Sequence, residues 1–176
     1  YKKEESKTMK KYFLDEFKRF KHYQNFIEYM ISHSDAFSGV YFRYRENEPL
    51  KRRTKLIYDQ LKPYMLYNKN VMEWPGTITQ NEFHHIYRFV LYRADMKCLD
   101  TLLLVKKLYE WDYPYAPMDL CFYRNGYCWM ETTAHEGYAW LYTDDEEEVK
   151  TLESLGANLE FYKEDGKMFC LDKIIK

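Results

Sequence analysis

The chain has 176 residues, with 27 Lys and Arg against 28 Asp and Glu and a formal net charge of -1, so it lacks the overall basic field of a nucleic-acid or membrane-surface binder. The length suits a single domain, and 46% hydrophobic with 31% charged residues is globular usage, which excludes a disordered chain. The longest purely apolar run, residues 102–105, falls far short of the roughly 20 residues that span a bilayer, and no secretory apolar region stands near the start.

In chain order, residues 4–34 predict one long amphipathic helix, with Phe13, Phe17, Phe20, Ile27 and Ile31 on one stripe and Lys10, Lys18, Lys21, Asn25 and Glu28 opposite. After Gly39, Val40, Phe42 and Tyr44 alternate with Tyr41, Arg43 and Arg45, the period of a strand. Asn47 and Pro49 start a helix to residue 61 with Leu50, Thr54, Ile57 and Leu61 inward, and Pro63 ends it. A short strand is expected within 64–66 or 71–74, then a turn at Pro75 and Gly76. Residues 83–92 read as a central strand covered on both faces. Asp95 caps a helix running to residue 111, with Leu99, Leu102, Leu103 and Leu108 as its stripe. Residues 112–117, with Pro114 and Pro117, form a rigid extended connection.

Asn125-Gly126 is a hairpin turn between residues 120–124 and 127–132, since both positions need positive φ. A two-residue turn pairs Arg124 with Tyr127, Tyr123 with Cys128, Phe122 with Trp129 and Cys121 with Met130. Residues 138–142 supply a third strand. Thr143 and Glu146 form a capping box for a helix carrying Val149, Leu152 and Leu155 that stops at Gly156. Residues 159–162 and 167–171 predict a second hairpin turning at Asp165-Gly166. Hairpin-linked strands with helices grouped elsewhere give a single α+β domain over 1–176, built on a mainly antiparallel sheet.

Few residues suggest chemistry. His135-Glu136 offers an acid and a base, yet lacks a second His of zinc-protease spacing and a Gly-flanked Ser to activate. His84 and His85 point to opposite faces of a strand and cannot share a metal. Cys121 and Cys128 are diagonal neighbours in the hairpin, and with no C-x-x-C in the chain they read as buried small hydrophobes. Cys98 and Cys170 add neither disulfide density nor spacing, so the four thiols suit a reducing cytoplasm. Only 6 glycines and no Gly-rich phosphate loop leave nothing for a nucleotide, and neither cofactor nor metal is predicted. Basic clusters lie in 2–21 (Lys2, Lys3, Lys7, Lys10, Lys11, Lys18, Arg19, Lys21) and 43–55 (Arg43, Arg45, Lys51, Arg52, Arg53, Lys55), each diluted by carboxylates. The acidic run at 144–148 suits the first turn of a helix.

The aromatic content is 19%, with 19 Tyr, 11 Phe and 4 Trp, a composition that serves half-buried sheets and contact surfaces alike. Residues 36–45, 86–113 and 120–142, read in that order, resemble small uncharacterised proteins of low-GC Gram-positive bacteria, among them toxin-neutralising immunity proteins. That resemblance implies an intracellular binding protein without catalysis. The leading expectation is therefore a module that binds another protein, with Tyr113, Tyr115, Tyr138 and Trp140 as contact residues, or a homodimer formed through the first helix. Nucleic-acid binding through the two basic clusters is the alternative, and a small hydrolase using His135 and Glu136 the second.

Overall fold

A computed structural model describes residues 7–80 and 83–175. Eight strands form one antiparallel sheet: β1 (Thr8–Leu14), β2 (Ala36–Arg43), β3 (Met65–Asn70), β6 (Ile86–Arg93), β7 (Met118–Arg124), β8 (Tyr127–Thr133), β9 (Tyr138–Tyr142) and β10 (Leu159–Lys167). Their order across the sheet is β10-β1-β9-β8-β7-β2-β6-β3. A separate two-stranded ribbon comprises β4 (Glu73–Trp74) and β5 (Thr77–Ile78), and the helices are α1 (Phe20–Ser32), α2 (Arg52–Leu61), α3 (Leu99–Leu102) and α4 (Glu146–Ser154). The predicted α+β class with an antiparallel sheet is observed, and among the described residues no helix is long and apolar enough to cross a membrane.

Alternation along the strands sorts side chains into two layers. Phe37, Tyr41, Val90, Tyr92, Leu120 and Phe122 face the helices, where Tyr23, Phe26, Ile57, Leu102 and Leu152 complete the main core. Their neighbours Ala36, Val40, Phe89, Leu91, Cys121 and Tyr123 face the other way, into a smaller core roofed by Trp74, Leu171 and Ile174. The middle of the sheet is thus buried on both faces.

The expected helix over 4–34 is corrected: its first part is β1, inserted between β9 and β10. There Tyr12 and Leu14 are buried on the helix side while Phe13 packs outward on Trp140, with ring centroids 5.4 Å apart. The helical spacing of Phe13, Phe17 and Phe20 is coincidental, and Phe20 is exposed. The stripe of α1 is Tyr23, Phe26, Ile27, Met30 and Ile31, all buried in the chain's own core. Between β1 and α1 the Glu16 carboxylate accepts the backbone N–H groups of Phe17, Leu108 and Tyr109 at 2.9, 3.0 and 3.0 Å. The helix predicted to residue 111 ends early: α3 stops at Leu102, the backbone is extended at Lys107, and the Glu16 bonds hold the first N–H groups of a separate 3-10 turn, Leu108–Glu110.

Further departures are local. β2 starts at Ala36 and runs through Gly39, where a Cβ would meet Pro117 Cβ at 2.9 Å. Helix α2 begins at Arg52, leaving Pro49 and Leu50 outside it, and both candidate strands of the 64–74 region form. β6 lies one strand from the edge, and His84, at φ 55°, and His85 precede it. The Asn125-Gly126 turn pairs Arg124 with Tyr127 and Tyr123 with Cys128 as predicted, but a bulge then sets Phe122 opposite Met130. Trp129 and Met130 therefore both enter the main core. Helix α4 is capped by Asp145, which accepts from the N–H groups of Glu147 and Glu148, while Thr143 Oγ1 donates to Glu148 at 2.8 Å. Glu148 also receives Tyr29 Oη and both terminal nitrogens of Arg124 at 2.9 Å, tying α1, α4 and β7 together.

The second hairpin does not form. β10 continues through Asp165-Gly166 as one strand paired with β1, with Met9 opposite Gly166 and two bulges between there and the Tyr12–Phe161 pair. A Cβ at 166 would meet Lys11 Cβ at 2.6 Å and the Tyr142 ring at 3.0 Å, so this glycine serves close packing and not a turn. Gly126, at φ 80°, has open space around it. In urea denaturation Gly166→Ala is expected to cost about 2 kcal/mol through overpacking, against about 1 kcal/mol for Gly126→Ala, which strains only the backbone. Equal losses would contradict the packing role of Gly166.

Candidate functional site

Strand pairing sets Phe42 of β2 beside Tyr87 of β6, both on the sheet face away from the helices. The ribbon β4–β5 folds over them, and Trp74 lies against Tyr87 at 5.2 Å between centroids. Its turn is the predicted Pro75-Gly76. Gly76 has φ 80°, and a Cβ there would meet Thr133 Oγ1 at 2.6 Å, so only glycine allows the ribbon to sit this low. A third wall comes from the segment leading into β7, which carries Asp112 and Tyr113, and from a 3-10 turn, Ala134–Glu136, between β8 and β9.

These pieces enclose a cleft of about 530 Å³ lined by Phe42, Tyr44, Trp74, Thr77, Ile78, Thr79, Gln80, Tyr87, Asp112, Tyr113, Met118 and His135. Phe42, Tyr44 and Tyr113 form a corner of nearly perpendicular rings: Phe42 lies 4.9 Å from each of the other two, at 81° and 72°, and Tyr44 and Tyr113 are 5.6 Å apart at 88°. His85 extends it, 5.2 Å from both Phe42 and Tyr44.

Beneath the cleft Asp119 is 1% exposed and has φ 60°. Its carboxylate accepts Trp74 Nε1–H at 2.8 Å and Ala134 N–H at 2.9 Å, and its own N–H donates to Trp111 O at 3.0 Å. Burial pushes its pKa up to about 6 against the pull of these donors and of His135, with the Asp112 charge adding to the rise. Asp112, half-buried, accepts the Tyr113 N–H at 2.9 Å. Its pKa is also raised by burial, and Tyr113 N–H and His135 oppose the rise.

The sequence-predicted residues divide among three places. Tyr113 and His135 line the cleft. Glu136 is exposed on the same turn, 3.8 Å from His135 Nε2, and is not part of the lining. Tyr115 is 63% exposed outside the cleft, and its carbonyl accepts Arg53 Nε–H at 2.8 Å. Tyr138 and Trp140 stand on the outer face of β9, where Trp140 packs with Phe13 and Tyr162 and holds Lys11 Nζ 4.1 Å above its ring. The first basic cluster is not one helical face: Lys10 bridges to Glu146 and Lys11 sits among rings, while Lys2 and Lys3 lie outside the described residues. In the second, Arg43 and Arg53 donate to backbone carbonyls and Lys55 pairs with Asp59. Cys121 and Cys128 are buried free thiols in the smaller core. Among the described residues no three His, Cys, Asp or Glu side chains gather closely enough to hold a metal ion.

Phe42, Tyr44, Trp74, Thr77, Tyr87, Asp112 and Asp119 were not singled out as site residues by sequence. The alternation that puts Phe42 and Tyr44 on one face is readable, and so is the turn after Trp74. Their convergence with Asp112 depends on pairing between distant segments. No family model, curated protein or solved structure matches the chain.

An acid with a raised folded-state pKa binds its proton more tightly when folded. Its stabilisation is complete below its ordinary value of 3.8 and is lost as pH rises through about 6. Glu131, buried and raised, acts in the same sense. Glu148 opposes it, because Arg124, Thr143 and Tyr29 overcome its burial and lower its pKa. Unfolding free energies of wild type and Asp119→Asn, measured from pH 4 to 7, should diverge: the wild type loses up to about 3 kcal/mol relative to the variant as pH rises. Parallel curves would contradict the assignment.

Proposed function

We propose that the protein is a non-catalytic binding module, of the kind implied by the resemblance to immunity proteins, and that it takes a side chain of another protein into the aromatic cleft. One observation carries this reading: large apolar side chains at the cleft stand open to water, Ile78 at 79% exposure on its lining and Tyr44 at 51% on its corner. Phe83, at 77%, extends this patch through its stack on His85. Exposed apolar side chains around a concavity are the make-up of an interaction site, and Thr77, Thr79 and Gln80 supply the polar edge such sites carry. Acid–base chemistry in the same cleft is the competing reading, favoured by the presence of Asp112 and His135 together in its lining. It requires a substrate whose turnover is lost in His135→Ala while binding is kept.

Tagged protein incubated with lysate of its native host, with and without nuclease, should retain a stoichiometric protein partner in both arms. Replacing Tyr44 and Tyr113 together with Ala should reduce the captured partner at least about tenfold, the loss of two aromatic anchors, while Tyr115→Ala and Tyr138→Ala leave it unchanged. Undiminished capture by the Tyr44/Tyr113 variant would overturn the cleft as the contact. Material lost on nuclease treatment would favour the basic residues instead.

A further inference from the structure

The cleft's charge and ring geometry define what enters it, and this inference rests on reading the cleft as a recognition site. We propose that it binds organic cations with an alkylated ammonium head, with Asp112 as counter-charge and the rings of Phe42, Tyr44, Tyr113, Trp74 and Tyr87 as walls.

Three observations support this class of ligand. Among the described residues the lining holds no Lys or Arg, and the carboxylate of Asp112 is its one acidic side chain, with Asp119 beneath and His135 as the single basic titratable group. An anion would face two carboxylates in a low-dielectric site, and a neutral apolar ligand would cover a carboxylate and leave it uncompensated. Among the described residues the Asp112 carboxylate accepts one hydrogen bond, from Tyr113 N–H, although an ionised carboxylate offers about four acceptor positions.

The rings are turned in different directions. The Phe42, Tyr44 and Tyr113 corner meets at 72° to 88°, and Trp74 and Tyr87 make a second wall tilted by 34°. Faces at such angles around a space of about 530 Å³ bring more than one negative ring face to a cation at once. Alkyl groups favour this site over a bare ammonium, because they bring apolar surface to the rings and leave fewer N–H groups needing acceptors.

The test is an NMR titration of the full chain, following the Trp74 indole N–H. The probes are choline, its uncharged carbon analogue 3,3-dimethylbutan-1-ol, and a short peptide carrying trimethyllysine. A charged probe should bind about tenfold more tightly than the carbon analogue. Asp112→Asn should remove most of that preference while leaving affinity for the analogue unchanged, a pattern that a misfolded variant would not give. Tighter binding of the peptide than of choline assigns the cation to a polypeptide, and the reverse order to a free small molecule. Equal affinities for choline and the carbon analogue would overturn the cation and leave the cleft as an apolar recognition site. Absence of binding by all three would overturn the inference, and the partner capture described above would then decide the cleft independently.

Discussion

Asp119 joins the three walls of the cleft. One carboxylate oxygen holds the indole of Trp74, which anchors the β4–β5 ribbon, and the other holds the N–H of Ala134 at the start of the turn carrying His135. Its backbone N–H reaches Trp111 O, next to Asp112. A buried carboxylate is costly unless its acceptors are filled. Here each donor belongs to a different segment, so burying Asp119 and assembling the cleft are one event. Strand pairing sets Phe42 beside Tyr87, and the Asp119 bonds bring Trp74 and the segment carrying Tyr113 to them.

Local patterns in the sequence show much of the scaffold and little of the site. The Asn125-Gly126 turn, the strand at Tyr138–Tyr142, the helix ending before Gly156 and the turn at Pro75-Gly76 are encoded by neighbours in sequence, and each is present. Errors arise where a distant partner decides. Met9 to Leu14 can read as helix or strand, and its place between β9 and β10 settles the matter. Gly166 resembles a turn residue, yet it is needed because Lys11 and Tyr142 pass close by. Residues 103–111 have a helical apolar pattern, but the backbone is extended at Lys107 and Glu16, distant in sequence, holds the N–H groups of the separate turn that follows. Tyr113 and His135 could be picked out singly. Asp112 and Trp74 become site residues only when the chain is folded.

The outer face of the sheet has two uses. Over β7, β2 and β6 it is roofed by the ribbon and by Leu171 and Ile174, which makes the smaller core and the cleft. Over β1, β9 and β10 it carries Phe13, Tyr138, Trp140 and Tyr162 without such a roof among the described residues, and Lys11 lies 4.1 to 5.6 Å from the ring centroids of Trp140, Tyr142 and Tyr162. Burial lowers the Lys11 pKa, and the rings compensate its ammonium by about 0.5–1 kcal/mol per contact at sites of this exposure.

The position of β1 sets a timetable. Of the ten strands described it leaves the ribosome first, but its neighbours are β9 and β10, so it has no sheet to join until those later strands have been made. Strands β2, β6, β7 and β8 can pair meanwhile, and α1 can settle on them while β1 trails free. During synthesis, Tyr12 and Leu14 therefore wait longest of the described main-core residues for their partners, which makes this segment the natural point of capture for a chaperone or protease acting on the nascent chain.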